Sequence, residues 1–220
     1  MCNSYKPSFR RHDSAAGFTL VETALVLFVM SVLAAIAVPN VMLMISNVKL
    51  RGTAADLAGL MQQARILAAK NNPQNPPAYA IRYAVINGAQ SAFVDLNGDG
   101  IWNASVTING VTTSEPVIAF GGTVVPAAGP PTGTGGQPTP YVLTGDTSVG
   151  GPFGNANVLA YTPRGLPCDF SAPPTCNSPA ASYFVYYLTD TRIGRPGWAA
   201  VVVTKGGRTR VVTWTGAIWN

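Results

Sequence analysis

Two arginines stand two positions apart near the C-terminus, directly after a pair of glycines. Arg208 follows Gly207, and Arg210 completes the pair. In a β-strand, residues two apart share a face, so both guanidinium groups would project together beside a flexible turn. Two planar guanidinium forks can bind adjacent phosphates through charge-assisted hydrogen bonds. From the residues alone, a phosphate site and a hairpin tip that the arginines keep soluble are equally favoured.

Other basic residues lie close to this pair in the sequence. Residues 151–220 carry six lysines and arginines against two aspartates, a local balance of +4. Lys205 belongs to the same predicted turn, and Arg192 and Arg195, as weaker candidates, lie on a neighbouring loop segment. The whole chain has a net charge of only +5, so a site for a polyanion must be local. Phosphate contacts of this kind would be independent of base sequence and sensitive to salt.

A second group of side chains has the spacing of calcium ligands. Asp95, Asn97 and Asp99 alternate before a glycine, as in the first half of a calcium-binding loop. The distal glutamate of such a loop is missing, because the twelfth position counted from Asp95 is Val106. Asn-Gly and Asp-Gly pairs are also typical of tight hairpin turns. We therefore expect a hairpin turn without a metal, and keep calcium as the weaker alternative.

An apolar N-terminal segment must carry these groups. Residues 18–38 would span about 31 Å as a helix, which is enough to cross a bilayer. The basic segment before them should stay cytoplasmic by the positive-inside rule, so the remainder is exported. Small residues ending at Gly17 precede the apolar run, and cleavage there would keep the membrane helix. Within the run, Glu22 is a charge that usually implies a partner or a function.

The start of this run resembles the N-terminal signature of type IV pilins and type II secretion pseudopilins, through Gly17-Phe18-Thr19-Leu20-Val21-Glu22 and Pro39. The resemblance implies that a prepilin peptidase cuts after Gly17 and methylates the new amine of Phe18. It also implies that Glu22 pairs with the N-terminal amine of a neighbouring subunit during assembly. Such a pair would satisfy two charges that each lack water. A plain single-span anchor is the alternative.

The predicted layout is an α+β, type IV pilin-like chain. One helix from Phe18 to Lys70, apolar and then mostly amphipathic, would pack with its second half on a β-rich head. The predicted parts are a leader (1–17), a transmembrane and assembly helix (18–45), a head-packed helix (46–71) and the head (72–220). Many glycines and prolines fall at 121–154, so this segment is expected to be a long surface loop.

Several segments of the head are rich in β-branched and aromatic residues. We predict strands at 79–86, 91–96, 117–120, 158–162, 183–189, 198–204 and 209–214. The last three lie close together in the sequence, which favours an antiparallel meander. Its final turn would be Lys205-Gly206-Gly207-Arg208.

Three short motifs of the head occur in an order that resembles the GspH/FimT group of minor pilins and pseudopilins: Phe93–Gly100, Tyr161–Gly165 and Gly207–Arg210. In FimT-type minor pilins, a C-terminal Gly-Arg-x-Arg motif is associated with DNA binding during natural transformation. The resemblance implies a filament subunit that binds duplex DNA, with other pilin subunits, a prepilin peptidase and the inner membrane as partners. The alternative is a structural minor pseudopilin of type II secretion, which contacts other pseudopilins or secreted proteins.

Cysteine and histidine usage fits an oxidising compartment and disfavours catalysis. Cys2 and His12, the only histidine, would leave with the leader. Cys168 and Cys176 would remain, and we expect a disulfide between them. Without histidine, Ser/His/Asp and Cys/His nucleophile schemes are excluded. We expect no enzymatic activity and no cofactor, and a single-pass inner-membrane subunit whose head is periplasmic before it joins a filament or its tip.

Overall fold

One long helix and a set of short strands make up the computed structural model of this chain. It describes residues 18–71, 79–127, 129, 138, 148–149, 158–172, 175–177, 183–191 and 197–220. The chain divides into two compact units, Met1–Leu43 and Met44–Asn220. Helix α1 (Leu20–Asn71) contributes residues to both units. The long N-terminal helix predicted from Phe18 to Lys70 is therefore confirmed.

In the first unit, α1 begins with a capped turn and continues as an apolar segment. The Thr19 Oγ1 atom accepts the backbone N–H of Glu22 at 3.2 Å, the bond typical of a helix N-cap. Every residue from Phe18 to Leu43 is exposed, although most of them are apolar. By length and composition, α1 can cross a membrane. This unit is compatible with a single-pass membrane anchor.

In the second unit, one face of α1 is buried. The buried side chains recur every three or four residues, as a helix with one face on a core requires. They are Leu50, Thr53, Ala54, Leu57, Leu60, Met61, Ala64 and Ala68. All but Thr53 belong to the main apolar cluster of the head, together with residues of the strands. Each buried leucine in this face contributes about 1.5–3 kcal/mol of transfer free energy.

The head is built from short strands in mostly antiparallel sheets. The strands are β1 (Ala80–Ile86), β2 (Ala89–Asp95), β3 (Val106–Ile108), β4 (Val111–Thr113), β5 (Val117–Ala119), β6 (Val124–Ala127), β7 (Ser148–Val149), β8 (Val158–Tyr161), β9 (Pro167–Ala172), β10 (Thr175–Asn177), β11 (Tyr183–Asp190), β12 (Trp198–Val203) and β13 (Thr209–Thr213). The sheets have the orders β1-β2-β5, β10-β9-β8, β13-β12-β11-β6 and β3-β4, and β7 pairs with β11 in parallel. A helix packed on these sheets gives the α+β class that the sequence predicts.

Strands β11, β12 and β13 form the predicted antiparallel meander. Val201 of β12 lies opposite Tyr186 on one side and Val211 on the other. Alternate residues of β12 point to two faces, as the strand period requires. On the face toward α1, Ala199, Val201 and Val203 join the main cluster. On the other face lies a second group, called the outer cluster: Val185, Tyr187, Ala200, Val202, Val212 and Trp219.

Two hairpins are closed by Asn-Gly pairs with positive φ at both residues. Asn87 and Gly88 join β1 to β2 with φ of 51° and 80°. Asn109 and Gly110 join β3 to β4 with φ of 52° and 79°. These values are those of type I′ turns, whose twist matches that of the strands. The strands β3 and β4 have only three residues each, and they are not among the strands predicted from the sequence.

Two short strands lie inside the segment 121–154, which the sequence analysis assigned to a long surface loop. Strand β6 pairs antiparallel with β11, and β7 pairs with the beginning of β11. Strand β6 contains Pro126, and prolines in a sequence are typical of loops, which favoured the loop prediction for this segment. In the order β13-β12-β11-β6, however, β6 is the terminal strand, and proline is tolerated on an edge strand because no further ladder bond is lost.

Two adjacent buried tyrosines differ in whether the hydroxyl group has a hydrogen-bond partner, so they can be compared directly. The Tyr186 hydroxyl accepts the Leu159 backbone N–H at 3.2 Å. The Tyr187 hydroxyl is buried without a hydrogen-bond partner in the described part of the chain. Burial also raises the pKa of Tyr187 to about 12. The two side chains lie on opposite faces of β11, in the main and outer clusters respectively.

We predict opposite effects for removing these two hydroxyls. Tyr186→Phe should lower the free energy of unfolding by about 1–3 kcal/mol, because the Leu159 N–H is left buried and unpaired. Tyr187→Phe should leave stability unchanged or raise it, by up to about 1 kcal/mol, because an unsatisfied group is removed. Thermal melting of the full chain in detergent measures both. Equal destabilisation by the two substitutions would contradict the hydrogen-bond assignment.

Candidate nucleic-acid interface

The turn between β12 and β13 carries the basic residues singled out by the sequence. The Gly207 N–H donates to the Thr204 carbonyl at 2.7 Å, and the Thr204 N–H donates to the Arg208 carbonyl at 2.9 Å. Gly207 has a φ of 78°, in the left-handed region. A β-turn followed by a left-handed glycine is the pattern of a hairpin with a G1 bulge. The turn predicted at Lys205–Arg208 is therefore present.

The basic side chains of this hairpin reach solvent. Lys205, Arg208 and Arg210 are all exposed. Arg210 lies directly opposite Val202 in the ladder, and Val202 belongs to the outer cluster. Opposite residues of an antiparallel pair share a face, so Arg210 lies on the sheet face away from α1. The Lys205 Nζ atom lies 5.8 Å from the centroid of the Tyr183 ring, within cation–π range.

Arg208 and Arg210 border one groove, of about 500 Å³. Its other walls come from α1 (Gln62 and Arg65), from Tyr183, and from Val202, Thr204 and Thr209 of the meander. The groove therefore has three guanidinium groups, three hydroxyl groups and one amide, and carboxylates are absent from its described lining. Such a set of donors suits phosphate oxygens, which guanidinium groups bind through paired hydrogen bonds.

Helix α1 holds the turn in place through two polar side chains. Arg65 Nη1 donates to the Gly207 carbonyl at 3.2 Å, and Gln62 Nε2 donates to the Thr209 Oγ1 atom. Gln62 also reaches the Gly207 carbonyl at 3.5 Å. The sequence analysis did not include either residue in the site. The available signal was position, since Arg65 lies one helical turn after the fully buried Met61 and borders the buried face.

Arg65 also joins two motifs that are distant in the sequence. Its Nε atom donates to the Gly165 carbonyl at 2.9 Å, while its Nη1 atom bonds to Gly207. Gly165 ends the Tyr161–Gly165 motif, and Gly207 begins the Gly207–Arg210 motif. The two motifs therefore meet at one guanidinium group. Their contact is close, because a Cβ atom built on Gly207 would lie 3.1 Å from the Gly165 carbonyl oxygen.

Of the remaining predicted site residues, the structure describes some and not others. Arg192 and Arg195 lie outside the described residues, and so does Gly17. Phe18 and Glu22 lie in the first unit, where both are exposed. Cys168 is buried and disulfide-bonded. The side chain of Cys176 lies outside the described part of the chain, so its pairing with Cys168 stays a prediction.

The acidic segment at Asp95 closes a loop instead of a tight hairpin. The next strand that pairs with β2 is β5, so residues 96–116 form a longer connection that contains β3 and β4. A type I′ turn needs positive φ at both central residues. In this loop the positive values belong to Gly98 and Gly100 and not to Asn97 or Asp99. The prediction of a tight hairpin at this position was therefore wrong.

The carboxylate of Asp95 is surrounded by donors from the protein. Its Oδ2 atom accepts the Arg82 Nε–H and the Gly100 N–H, both at 2.9 Å, and its Oδ1 atom accepts the Gly98 N–H at 2.6 Å. The Asp95 side chain is completely buried and forms a salt bridge with Arg82. The cation beside Asp95 is thus an arginine of the neighbouring strand, and the bonds fix the loop to β1.

The two other calcium candidates also bond within the loop. Asp99 accepts the Ile101 N–H at 2.7 Å and the side-chain amides of Asn97 and Asn103 at 2.8 Å. The Asn97 Oδ1 atom accepts the Asp99 N–H at 3.2 Å. In the described residues, no group of three or more His, Cys, Asp or Glu side chains is arranged to hold a metal ion. The hydrogen bonds of these side chains hold the loop in its conformation.

A buried glutamate that the sequence analysis did not assign to this loop completes it. Glu115 accepts the Leu96 N–H at 2.8 Å and the Asn103 N–H at 2.7 Å. Only 1% of its surface is exposed. Burial raises the pKa of Glu115, although the two N–H donors act in the opposite direction. Glu115 therefore joins both ends of the segment 96–103, and it is not among the described residues that line the groove of Arg208 and Arg210.

Comparison with protein-family models, curated proteins and solved structures gives no match to this chain. The assignment of a function therefore depends on the residues and on the geometry of the groove. These define a cationic groove at the end of an antiparallel meander, connected to a helix whose first part is apolar and exposed.

We predict that the two adjacent glycines of the hairpin respond differently to alanine. At Gly207, a Cβ atom would lie 3.1–3.2 Å from the Gly165 oxygen and from Arg65, and the φ of 78° costs an alanine about 1–2 kcal/mol. Gly207→Ala should therefore lower the melting temperature by several degrees. At Gly206 nothing lies within 4 Å and φ is not positive, so Gly206→Ala is the matched control. Similar shifts for both variants would contradict the described contact.

Proposed function

We propose that this chain is a minor pilin or pseudopilin subunit that is anchored and assembled through its N-terminal helix. Two observations support this proposal. The described N-terminal segment of α1 is apolar and entirely exposed up to residue 45, and only beyond it does one face pack into the head. The capped first turn also places Glu22 at the beginning of the helix. Exposed apolar helix surface requires either lipid or neighbouring helices as its environment.

Glu22 has the position that intersubunit pairing requires. After cleavage behind Gly17, the new amine would belong to Phe18, four residues before Glu22. A carboxylate in an apolar helix bundle is costly unless a cation satisfies it. The amine of a neighbouring subunit would satisfy Glu22 and would fix the axial offset between the two helices. The partners are thus further pilin subunits and a prepilin peptidase in the inner membrane, with the head in the periplasm before assembly.

We further propose that the head binds duplex DNA, independent of base sequence, as a step of DNA uptake. The observation that carries this proposal is the groove that Arg208 and Arg210 border together. Both side chains are exposed, and α1 fixes the turn before them through Arg65 and Gln62. Guanidinium groups held in this way can bind neighbouring phosphates without reading bases. In this proposal the role is binding and assembly, with no catalytic step.

A salt titration tests DNA binding. We expect the full chain in detergent to bind a short fluorescein-labelled duplex of arbitrary sequence, with log K falling linearly with log salt concentration. In Arg208→Gln/Arg210→Gln the slope should decrease by about 2, because two phosphate contacts are lost. The control is Lys49→Gln/Lys70→Gln, which removes two exposed positive charges of α1 outside the groove. If the native chain does not bind at low salt, DNA capture is wrong and a structural pseudopilin with protein partners becomes the better proposal.

A second measurement tests processing and assembly. In cells that contain a prepilin peptidase, the intact mass of the native chain should correspond to cleavage after Gly17 and one added methyl group on Phe18. Gly17→Val should keep the full mass, because the cleavage site needs a small residue. Glu22→Ala should be cleaved but should not enter filaments, because the amine of the neighbouring subunit has lost its partner. Normal incorporation of the Glu22 variant would contradict the pairing.

A further inference from the structure

Two turns of the head have the same hydrogen-bond pattern. In the turn between β12 and β13, Gly207 N–H bonds to Thr204 O at 2.7 Å, Thr204 N–H bonds to Arg208 O at 2.9 Å, and Arg208 N–H bonds to Thr204 Oγ1 at 3.2 Å. Threonine is the first residue of the turn, and a glycine with a φ of 78° is the fourth.

The turn between β8 and β9 repeats each of these bonds. Gly165 N–H bonds to Thr162 O at 2.8 Å, Thr162 N–H bonds to Leu166 O at 2.9 Å, and Leu166 N–H bonds to Thr162 Oγ1 at 3.2 Å. Its fourth residue, Gly165, has a φ of 70°. The two turns are therefore equivalent five-residue hairpin turns, Thr162–Leu166 and Thr204–Arg208, although they belong to different sheets.

Arg65 connects the two turns at equivalent atoms. Its guanidinium group donates from Nε to the Gly165 carbonyl at 2.9 Å and from Nη1 to the Gly207 carbonyl at 3.2 Å. Each accepting carbonyl belongs to the left-handed glycine of its turn. Both glycines are also tight against Arg65, since a Cβ atom would lie 3.3 Å from Nε at Gly165 and 3.2 Å from it at Gly207. The planar guanidinium group thus fixes the separation of the two turns.

Each turn carries at least one exposed basic residue close to its left-handed glycine. Arg164 precedes Gly165 and is exposed, as Lys205 and Arg208 are on either side of Gly207. The residue before Arg164 is Pro163, which fits the second position of a β-turn and makes the turn rigid. Buried Tyr161 anchors the other end of the turn. Arg164 is therefore presented on a rigid turn adjacent to the hairpin of Arg208.

We propose that the two turns form one composite phosphate-binding surface, in which Arg164 contacts the DNA backbone together with Arg208 and Arg210 and Arg65 acts as the positioning residue. This inference rests on the proposed DNA binding and extends it to a second, separately encoded turn. Cations on two rigid turns at a fixed separation contact a duplex backbone at more than one place. Binding would thus need little rearrangement, which lowers its entropic cost.

The same salt titration tests Arg164, with the full chain in detergent and the labelled duplex. Arg164→Gln should decrease the salt slope by about 0.9 and the affinity by about tenfold at low salt, the effect of one lost phosphate contact. The control is Lys49→Gln, which removes one exposed charge about 24 Å from Arg65 along the helix axis. The melting temperature should not change in either variant, because both side chains are exposed.

The outcomes separate this inference from the proposed function. If native chain binds, and Arg208→Gln/Arg210→Gln reduces the slope while Arg164→Gln behaves as Lys49→Gln does, the composite surface is wrong and DNA binding stands. If the native chain does not bind DNA at low salt, the proposed DNA binding and the composite surface are both wrong. A slope change for Arg164→Gln of the expected size supports the composite surface.

A double-substitution cycle tests the role of Arg65. At a temperature well below the melting temperature of the variant, Arg65→Gln should weaken DNA binding. Adding Arg164→Gln to this variant should have little further effect on binding, because the turns are no longer held together. If Arg65 only stabilises the fold, Arg65→Gln lowers the melting temperature and the Arg164→Gln effect remains in full. Full additivity would therefore overturn the positioning role.

Discussion

The arrangement of the head depends on one guanidinium group between two backbone carbonyls. Arg65 projects from α1 and bonds to Gly165 and Gly207, each in a turn of a different sheet. A side chain with several donors in a fixed plane sets both the distance and the orientation of its two acceptors. Because the bonds to a charged donor are partly buried, they are stronger than neutral bonds in water. The helix, the β8–β9 turn and the β12–β13 turn are held in one arrangement by this contact.

Glycine makes that arrangement possible for two separate reasons. The left-handed backbone at Gly207 is unfavourable for residues with a Cβ atom, and the space for a Cβ atom is also occupied by Arg65 and by the Gly165 oxygen. In the Gly-Arg-x-Arg segment, the glycine thus allows the turn to lie against the helix, and the two exposed arginines follow it at the groove. The strand register sets the sheet face on which Arg210 lies, because Arg210 pairs with Val202 of the outer cluster.

Much of the fold could be predicted from local patterns. The helix and the meander follow from apolar periodicity and from β-branched runs, which are effects of neighbouring residues. Strands of two or three residues carry little pattern, and β3, β4 and β7 were not predicted, although the three-residue β5 was. The Asn97-Gly98 pair was misinterpreted as a hairpin because its signal is the same as that of Asn87-Gly88. The difference arises from Asp95 and Glu115, which both bond to the loop backbone, and Glu115 does so from 19 residues along the chain.

By itself, the sequence determined the apolar helix, the exposed arginine pair and the glycine turn before it, because each depends on residues within a few positions of one another. Only the tertiary structure decided which of these parts meet. Arg65 lies 100 residues from Gly165 and 142 residues from Gly207, and Glu115 lies 19 residues from Leu96. Such contacts form when a packed core brings distant backbone together, and no periodicity in the chain encodes them. The pairing of the two equivalent turns therefore appeared only in three dimensions.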